Sequence, residues 1–91
     1  MPTVYLVTQS GCANCPAAKL VVNEALEGTG FKLKMVDLRE MDPDLEFRLL
    51  EEQLFVASTP SIIIENGGTL KMLSSGKVPT VEQVKRALEA S

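Results

Sequence analysis

Ser10-Gly11-Cys12-Ala13-Asn14-Cys15-Pro16 decides how the rest of this chain reads. It holds both cysteines of the 91 residues, separated by two others. The apolar run Val4-Tyr5-Leu6-Val7 precedes it, and a helical pattern follows from Pro16. A strand that delivers a Cys-x-x-Cys to the start of a helix is an arrangement suited to thiol redox chemistry.

Outward from that stretch, Thr3 to Thr8 reads as a strand, its unbroken apolar centre fitting burial on both faces of a parallel sheet. Gln9-Ser10-Gly11 is a loop in which Gly11 permits close approach to Cys12. Pro16 is tolerated only in a first helical turn, so the first helix is expected to begin between Cys12 and Ala13. Ala18, Val21, Val22 and Ala25 form its apolar face. Lys19, Asn23 and Glu27 form its wet one, and Gly28 and Gly30 stop it.

Phe31 to Leu38 reads as a second strand, with Phe31, Leu33 and Met35 alternating with Lys32 and Lys34. Asp42 caps a second helix with Pro43 at its first position, and Phe47, Leu50 and Leu54 supply an apolar stripe. Thr59-Pro60 leads into the short strand Ser61-Ile62-Ile63-Ile64. Asn66-Gly67 is a two-residue hairpin turn, so Thr69 to Leu73 returns antiparallel. Gly76 and Pro79 interrupt the chain. Thr80, with Gln83 three residues on, forms a capping box for a last helix whose Val81, Val84 and Leu88 face the core. Met35 and Met72 are expected in the core as well.

The order is β-α-β-α-β-β-α, with no repeat, linker or low-complexity segment. The fold class is α/β: a central mixed four-stranded sheet with helices on both faces, forming one domain over residues 1–91. At 45% hydrophobic, such a chain builds its core without staples. A disulfide closing so short a loop would add only about 2 kcal/mol. The cysteines are therefore not required for folding.

The formal charge is −3, with no run of like charges, so nucleic acid and acidic membrane surfaces are not expected partners. Met1-Pro2-Thr3-Val4 has no basic segment ahead of its apolar run, and no stretch approaches the ~18 apolar residues of a membrane span. A reducing cytoplasm is the expected compartment, where paired cysteines are more often catalytic or metal-binding than structural. The chain contains no His, so no imidazole can act as base, acid or metal ligand.

Cys-x-x-Cys after the first strand and Thr-Pro directly before the third resemble the thioredoxin superfamily. The short N-terminus is similar to the minimal, glutaredoxin-sized form. Gly11-Cys12-Ala13-Asn14-Cys15, with Leu70-Lys71-Met72 and Gly76-Lys77-Val78, is most similar to the small glutaredoxin-like redox-active disulfide proteins of archaea and bacteria. The resemblance spans essentially the whole chain. It implies a thioredoxin-like fold and a thiol–disulfide oxidoreductase that passes electrons without a cofactor or metal. Cys12 would be the attacking cysteine, Cys15 the resolving one, and the two would form the disulfide. It further implies that Pro60 is a cis-proline facing that disulfide. Thr59 would offer its backbone to an incoming chain, and Gly11, Ala13 and Asn14 would border the same substrate. The expected partners are disulfide-containing proteins and an upstream thiol reductant, with the chain acting as a monomer.

The chain departs from the family at three places. Gly11 stands where thioredoxins carry Trp, and Ala13-Asn14 replaces their Gly-Pro. Leu6 stands where thioredoxin has a buried aspartate. Gly67-Gly68 lies in the hairpin and no aspartate follows Gly76, which argues against glutathione as the obligate reductant.

Exchange requires a thiolate, and an ordinary cysteine with pKa ~8.5 is only about 3% ionised at pH 7. Without His, the N–H groups and positive end of the first helix must stabilise the Cys12 sulfur anion. Two other readings of the pair stand beside this one. The pair could carry Cu(I) as heavy-metal-carrier domains do, although those end in a strand and this chain ends in a capped helix. It could also be silent, in a non-catalytic thioredoxin-like interaction module. A structural zinc lacks its third and fourth ligands. Asp37, Glu40, Asp42 and Asp44 read as a cap and a solvated helix start, and Lys19 as part of a solvated face.

Overall fold

The structure, a computed structural model, describes residues 2–90. Met1 and Ser91, the ends of the expected 1–91 domain, lie outside them. Strand β1 (Thr3–Thr8) leads to helix α1 (Cys15–Leu26) and strand β2 (Lys32–Asp37). A single 3₁₀ turn (Leu38–Glu40) precedes helix α2 (Pro43–Glu51). The hairpin β3 (Ser61–Asn66) and β4 (Thr69–Ser75) and helix α3 (Val81–Glu89) complete the chain. The sheet order is β2-β1-β3-β4. β1 pairs parallel with β2 and antiparallel with β3, and β3 pairs antiparallel with β4. This is the expected mixed four-stranded sheet. No helix among the described residues is long and apolar enough to cross a membrane.

Alternation along the two inner strands divides the core. Val4 and Leu6 of β1 and Ile62 and Ile64 of β3 face α1 and α3, meeting Ala18, Val22, Ala25, Val84 and Leu88. Val7 and Ile63 face α2 and meet Leu45 and Leu49. Strands with both faces covered read as continuous apolar runs, which is why Val4–Val7 and Ile62–Ile64 do.

Local capping signals act as read. Asp42 accepts from the Asp44 N–H with Pro43 opening α2. Thr80 and Gln83 exchange both bonds of a capping box at α3.

Four expectations need correction. First, α1 starts at Cys15, not near Cys12. The Cys12 N–H is taken by the Gln9 carbonyl at 3.2 Å, so Cys12 belongs to the preceding turn. Second, the buried stripe of α2 is Leu45 and Leu49, whereas Phe47 is 62% and Leu50 59% exposed. Leu45 and Leu49 are the pair that meets Val7 and Ile63 on the sheet, and Arg48 on the same helix pairs with Glu65 on β3. Leu54 lies beyond the helix but packs on the α2 side of the core. Third, Met35 is 44% exposed on β2, an edge strand with a neighbour on one side only, while Met72 does pack against the α2-side core. Fourth, the hairpin loop is Gly67-Gly68, with Asn66 paired to Thr69 inside the ladder. A tight hairpin turn of type I′ needs positive φ at both central residues, and the two glycines supply 63° and 85°.

β4 also carries a bulge. Ile63 pairs with Met72 but Ile62 pairs with Ser74, leaving Leu73 as the extra residue. Both outer strands expose lysines, Lys32 and Lys34 on β2 and Lys71 on β4.

Candidate functional site

β1 ends at Thr8, and the Gln9–Cys12 turn carries the chain off the sheet. Gly11 sits in the third position of that turn. Ala13 and Asn14 continue it, and Asn14 occupies the N-cap position of α1 without a side-chain cap. No acidic residue occupies the first turn, and Pro16 has no N–H to offer. The positive end of α1 is thus left uncapped by any side chain. Cys12 and Cys15 form a disulfide with Cα atoms 5.5 Å apart, a normal span. That bond carries the Cys12 sulfur to the first helical residue although the Cys12 backbone lies outside α1. Cys15 is 7% exposed and Cys12 is intermediate, while Gly11, Ala13 and Asn14 are exposed around them. Lys19 is solvated on the outer face of α1.

Ser61 pairs with Val7 across the sheet. The segment before Ser61 and the loop after Val7 therefore leave the sheet at the same end. That segment is Thr59-Pro60, whose peptide bond is cis. Pro60 is buried and Thr59 half-buried. The topology thus gathers Cys12, Cys15, Gly11, Ala13, Asn14, Thr59 and Pro60 at one end of β1 and β3. Leu6, where a thioredoxin carboxylate would stand, is fully buried among apolar side chains.

The sequence marks Ser61 and Gly76 only as a strand start and a chain break and gives Ser58 and Ser75 no role, yet all four adjoin this end. Ser61 Oγ donates to the Ser58 carbonyl at 2.6 Å and lies 2.9 Å from Ser75 Oγ. Ser75 Oγ lies 3.1 Å from Ser58 Oγ. The Gly76 N–H donates to the Pro60 carbonyl at 2.8 Å. The visible signal was three serines flanking Thr59-Pro60 and Gly76. The bulge at Leu73 sets their pairing, and it had no mark in the sequence.

A separate polar cluster lies on the α2 face. The Tyr5 hydroxyl donates to Glu65 Oε1 at 3.3 Å, and Arg48 pairs with the other oxygen of that carboxylate. A cleft of about 590 Å³ opens beside it, lined by Tyr5, Asp37, Glu40, Asp42, Asp44 and Arg48. None of the cysteine-loop residues lines this cleft. Asp37 and Asp42 are occupied as caps for Arg39 and Asp44. Among the described residues, no cluster of His, Cys, Asp or Glu is arranged to hold a metal ion.

Burial first, then the Glu65 charge and hydrogen bond, push the Tyr5 hydroxyl above its ordinary pKa, with the Arg48 charge opposing. The folded chain thus holds this proton more tightly than the unfolded chain. Its contribution is complete below the ordinary value of about 10 and is lost as pH rises through the folded value. Tyr5 is the sole tyrosine and there is no tryptophan, so ultraviolet titration reads it directly. We expect a midpoint above 10, and Glu65→Gln should lower it without removing the part due to burial. An ordinary midpoint in the parent chain would contradict the cluster.

A mixed sheet with helices on both faces, presenting a disulfide-bonded Cys-x-x-Cys between β1 and α1, defines a thioredoxin-like domain with a redox-capable cysteine pair. A family model described as "Thioredoxin domain" matches residues 3–89. The chain belongs to that family.

Solved structures agree in fold. Oxidised thioredoxin O2 of Arabidopsis thaliana superposes with a TM-score of 0.67 at 20% identity, over 99% of this chain and 74% of that one. Oxidised mitochondrial thioredoxin 3 of Saccharomyces cerevisiae gives 0.71 at 13%, over 99% and 78%. A thioredoxin-like protein of Clostridium perfringens gives 0.71 at 11%, over 99% and 70%. No curated protein matches the chain in sequence. A thioredoxin domain with its Cys-x-x-Cys at disulfide distance supports a thiol–disulfide redox role.

Proposed function

We propose that this domain is a thiol–disulfide oxidoreductase that reduces or exchanges disulfides of protein substrates. The observation that carries the reading is the asymmetry of the Cys12–Cys15 disulfide. Cys12 is the more accessible residue of the pair, and Cys15 is buried at the first residue of α1.

In the reduced form, the Cys12 thiolate attacks one sulfur of a substrate disulfide. The substrate S–S bond breaks, a Cys12–substrate disulfide forms, and the first substrate sulfur leaves as a thiolate. Cys15 gives up its proton and attacks the Cys12 sulfur. The mixed disulfide breaks, Cys12–Cys15 closes, and the second substrate sulfur departs. Two electrons have passed to the substrate, and an upstream dithiol returns them. With no His in the chain and Leu6 apolar, the departing substrate thiolate is the base at hand for the Cys15 proton. The positive end of α1 favours the anionic Cys12 sulfur.

Thr59 and Pro60 stand at the same sheet end, where an extended substrate could run beside Gly11, Ala13 and Asn14. The reading assigns the chain to a reducing cytoplasm, as a monomer served by a dithiol reductant rather than glutathione.

The test is a redox titration in graded thiol/disulfide buffers, with free thiols counted by a mass tag. A two-thiol transition between about −120 and −300 mV is expected, and its midpoint indicates whether reduction or oxidation dominates. Absence of a Cys12–Cys15 transition across that range would overturn the reading.

A further inference from the structure

The serines beside Thr59 form a closed hydrogen-bond ring, and counting protons fixes its direction. The Ser61 hydroxyl has one proton, and its contact with the Ser58 carbonyl, an acceptor only, uses it. Towards Ser75, Ser61 Oγ can then only accept, so Ser75 donates to it. The Ser75 proton is now committed, so Ser58 Oγ donates to Ser75 Oγ. The ring runs from the Ser58 hydroxyl through Ser75 and Ser61 back to the Ser58 carbonyl. Bonds aligned in one direction polarise one another. Ser61 is fully buried, so its partners are not freely exchanged for water.

Gly76 adds a fourth tie through its N–H to the Pro60 carbonyl. The position favours glycine. Its φ is 75°, and a Cβ there would lie 2.8 Å from Ser58 Oγ. Residues 58–61 are thus tied to the end of β4 by three bonds, from Ser58, Pro60 and Ser61, while the Ser61–Ser58 bond braces the segment itself, and Thr59 lies in its middle.

We infer that the Ser58–Ser75–Ser61 ring is a positioning device for polypeptide substrates, with Ser75 its keystone. It holds the Thr59 backbone ready to pair with an incoming chain, so that binding does not have to order the loop. This rests on the reading that the cysteine pair reduces protein disulfides. A small disulfide has no chain to lay along Thr59, so the device separates two classes of substrate.

The test compares the parent chain, Ser75→Ala and Ser75→Thr in reducing insulin and an aromatic nitrobenzoate disulfide, with dithiothreitol as reductant. Ser75→Ala should raise KM for insulin about fivefold, within the scale of the two hydrogen bonds that the Ser75 hydroxyl makes. Its kcat for insulin, its rate with the nitrobenzoate disulfide and its midpoint potential should each stay within about twofold of the parent. Ser75→Thr, which keeps the hydroxyl, should restore KM. Amide exchange at Gly76 provides a readout independent of activity and should quicken in Ser75→Ala alone. An unchanged KM, an equal loss with both disulfides, or unchanged Gly76 exchange would each overturn the inference and leave the proposed function standing. A parent chain that reduces neither disulfide would overturn the proposed function, and this inference with it.

Discussion

Replacing Cys12 by Ser is expected to abolish disulfide reduction, while replacing Cys15 by Ser should trap substrate on Cys12. The difference follows from accessibility and position. Cys12 leaves the sheet in an exposed turn, whereas Cys15 is 7% exposed at the start of α1. On the proposed roles, a substrate disulfide meets Cys12 first, and Cys15 then attacks the mixed disulfide. Cys12→Ser removes the nucleophile, because a serine hydroxyl does not ionise at neutral pH. Turnover should fall by at least about a thousandfold, a loss of ~4 kcal/mol in transition-state stabilisation. Cys15→Ser leaves attack intact but removes resolution, so one substrate equivalent should remain bound through Cys12. Mass spectrometry without reductant would show the adduct, and added dithiothreitol would release it. Equal residual activity in both variants, or an adduct on Cys15, would sink these roles.

Leu6→Ala should produce the largest loss of stability of any single truncation on β1. Leu6 is fully buried on an inner strand, packed between β2 and β3 and under α1 and α3. Its neighbours are held by sheet pairing on both sides, so they cannot collapse into the space left behind. Truncations of this kind cost about 3–4 kcal/mol, from lost burial plus a residual cavity. A domain of this size has only about 5–15 kcal/mol in total. The urea midpoint should therefore fall by a large fraction of its value. Leu50→Ala removes the same atoms from a site that is 59% exposed and should change stability by no more than about 0.5 kcal/mol. Similar losses in both would contradict the assignment of the α2 stripe to Leu45 and Leu49.

What could be read beforehand was local. The N-caps at Asp42 and Thr80 and the Cys-x-x-Cys after an apolar strand each signal within a few residues. The continuous runs Val4–Val7 and Ile62–Ile64 declared inner strands because both their faces are covered. The errors arose where a distant group decides. α2 has nine residues, and Phe47/Leu50 and Leu45/Leu49 both fit a helical spacing. The choice between them is made by which pair meets Val7 and Ile63 across the core, a contact between elements distant in sequence. The start of α1 lies later because its first bond runs from the Ala18 N–H to the Asn14 carbonyl, and Pro16 has no N–H with which to reach the Cys12 carbonyl. Thr59 and Pro60 were found through family likeness, but the serines around them were not. Ser75 meets Ser61 only because one residue of β4 bulges out of the ladder.

That bulge and the lysines of the outer strands bear on how copies of the chain meet. A sheet with two open edges offers unpaired backbone groups to any other extended chain. β2 presents Lys32 and Lys34 along one edge, and β4 presents Lys71 and an interrupted ladder along the other. Two copies approaching edge to edge would bring like charges together on one side and mismatched bonding on the other. The fold thereby discourages strand pairing along both flanks of its sheet.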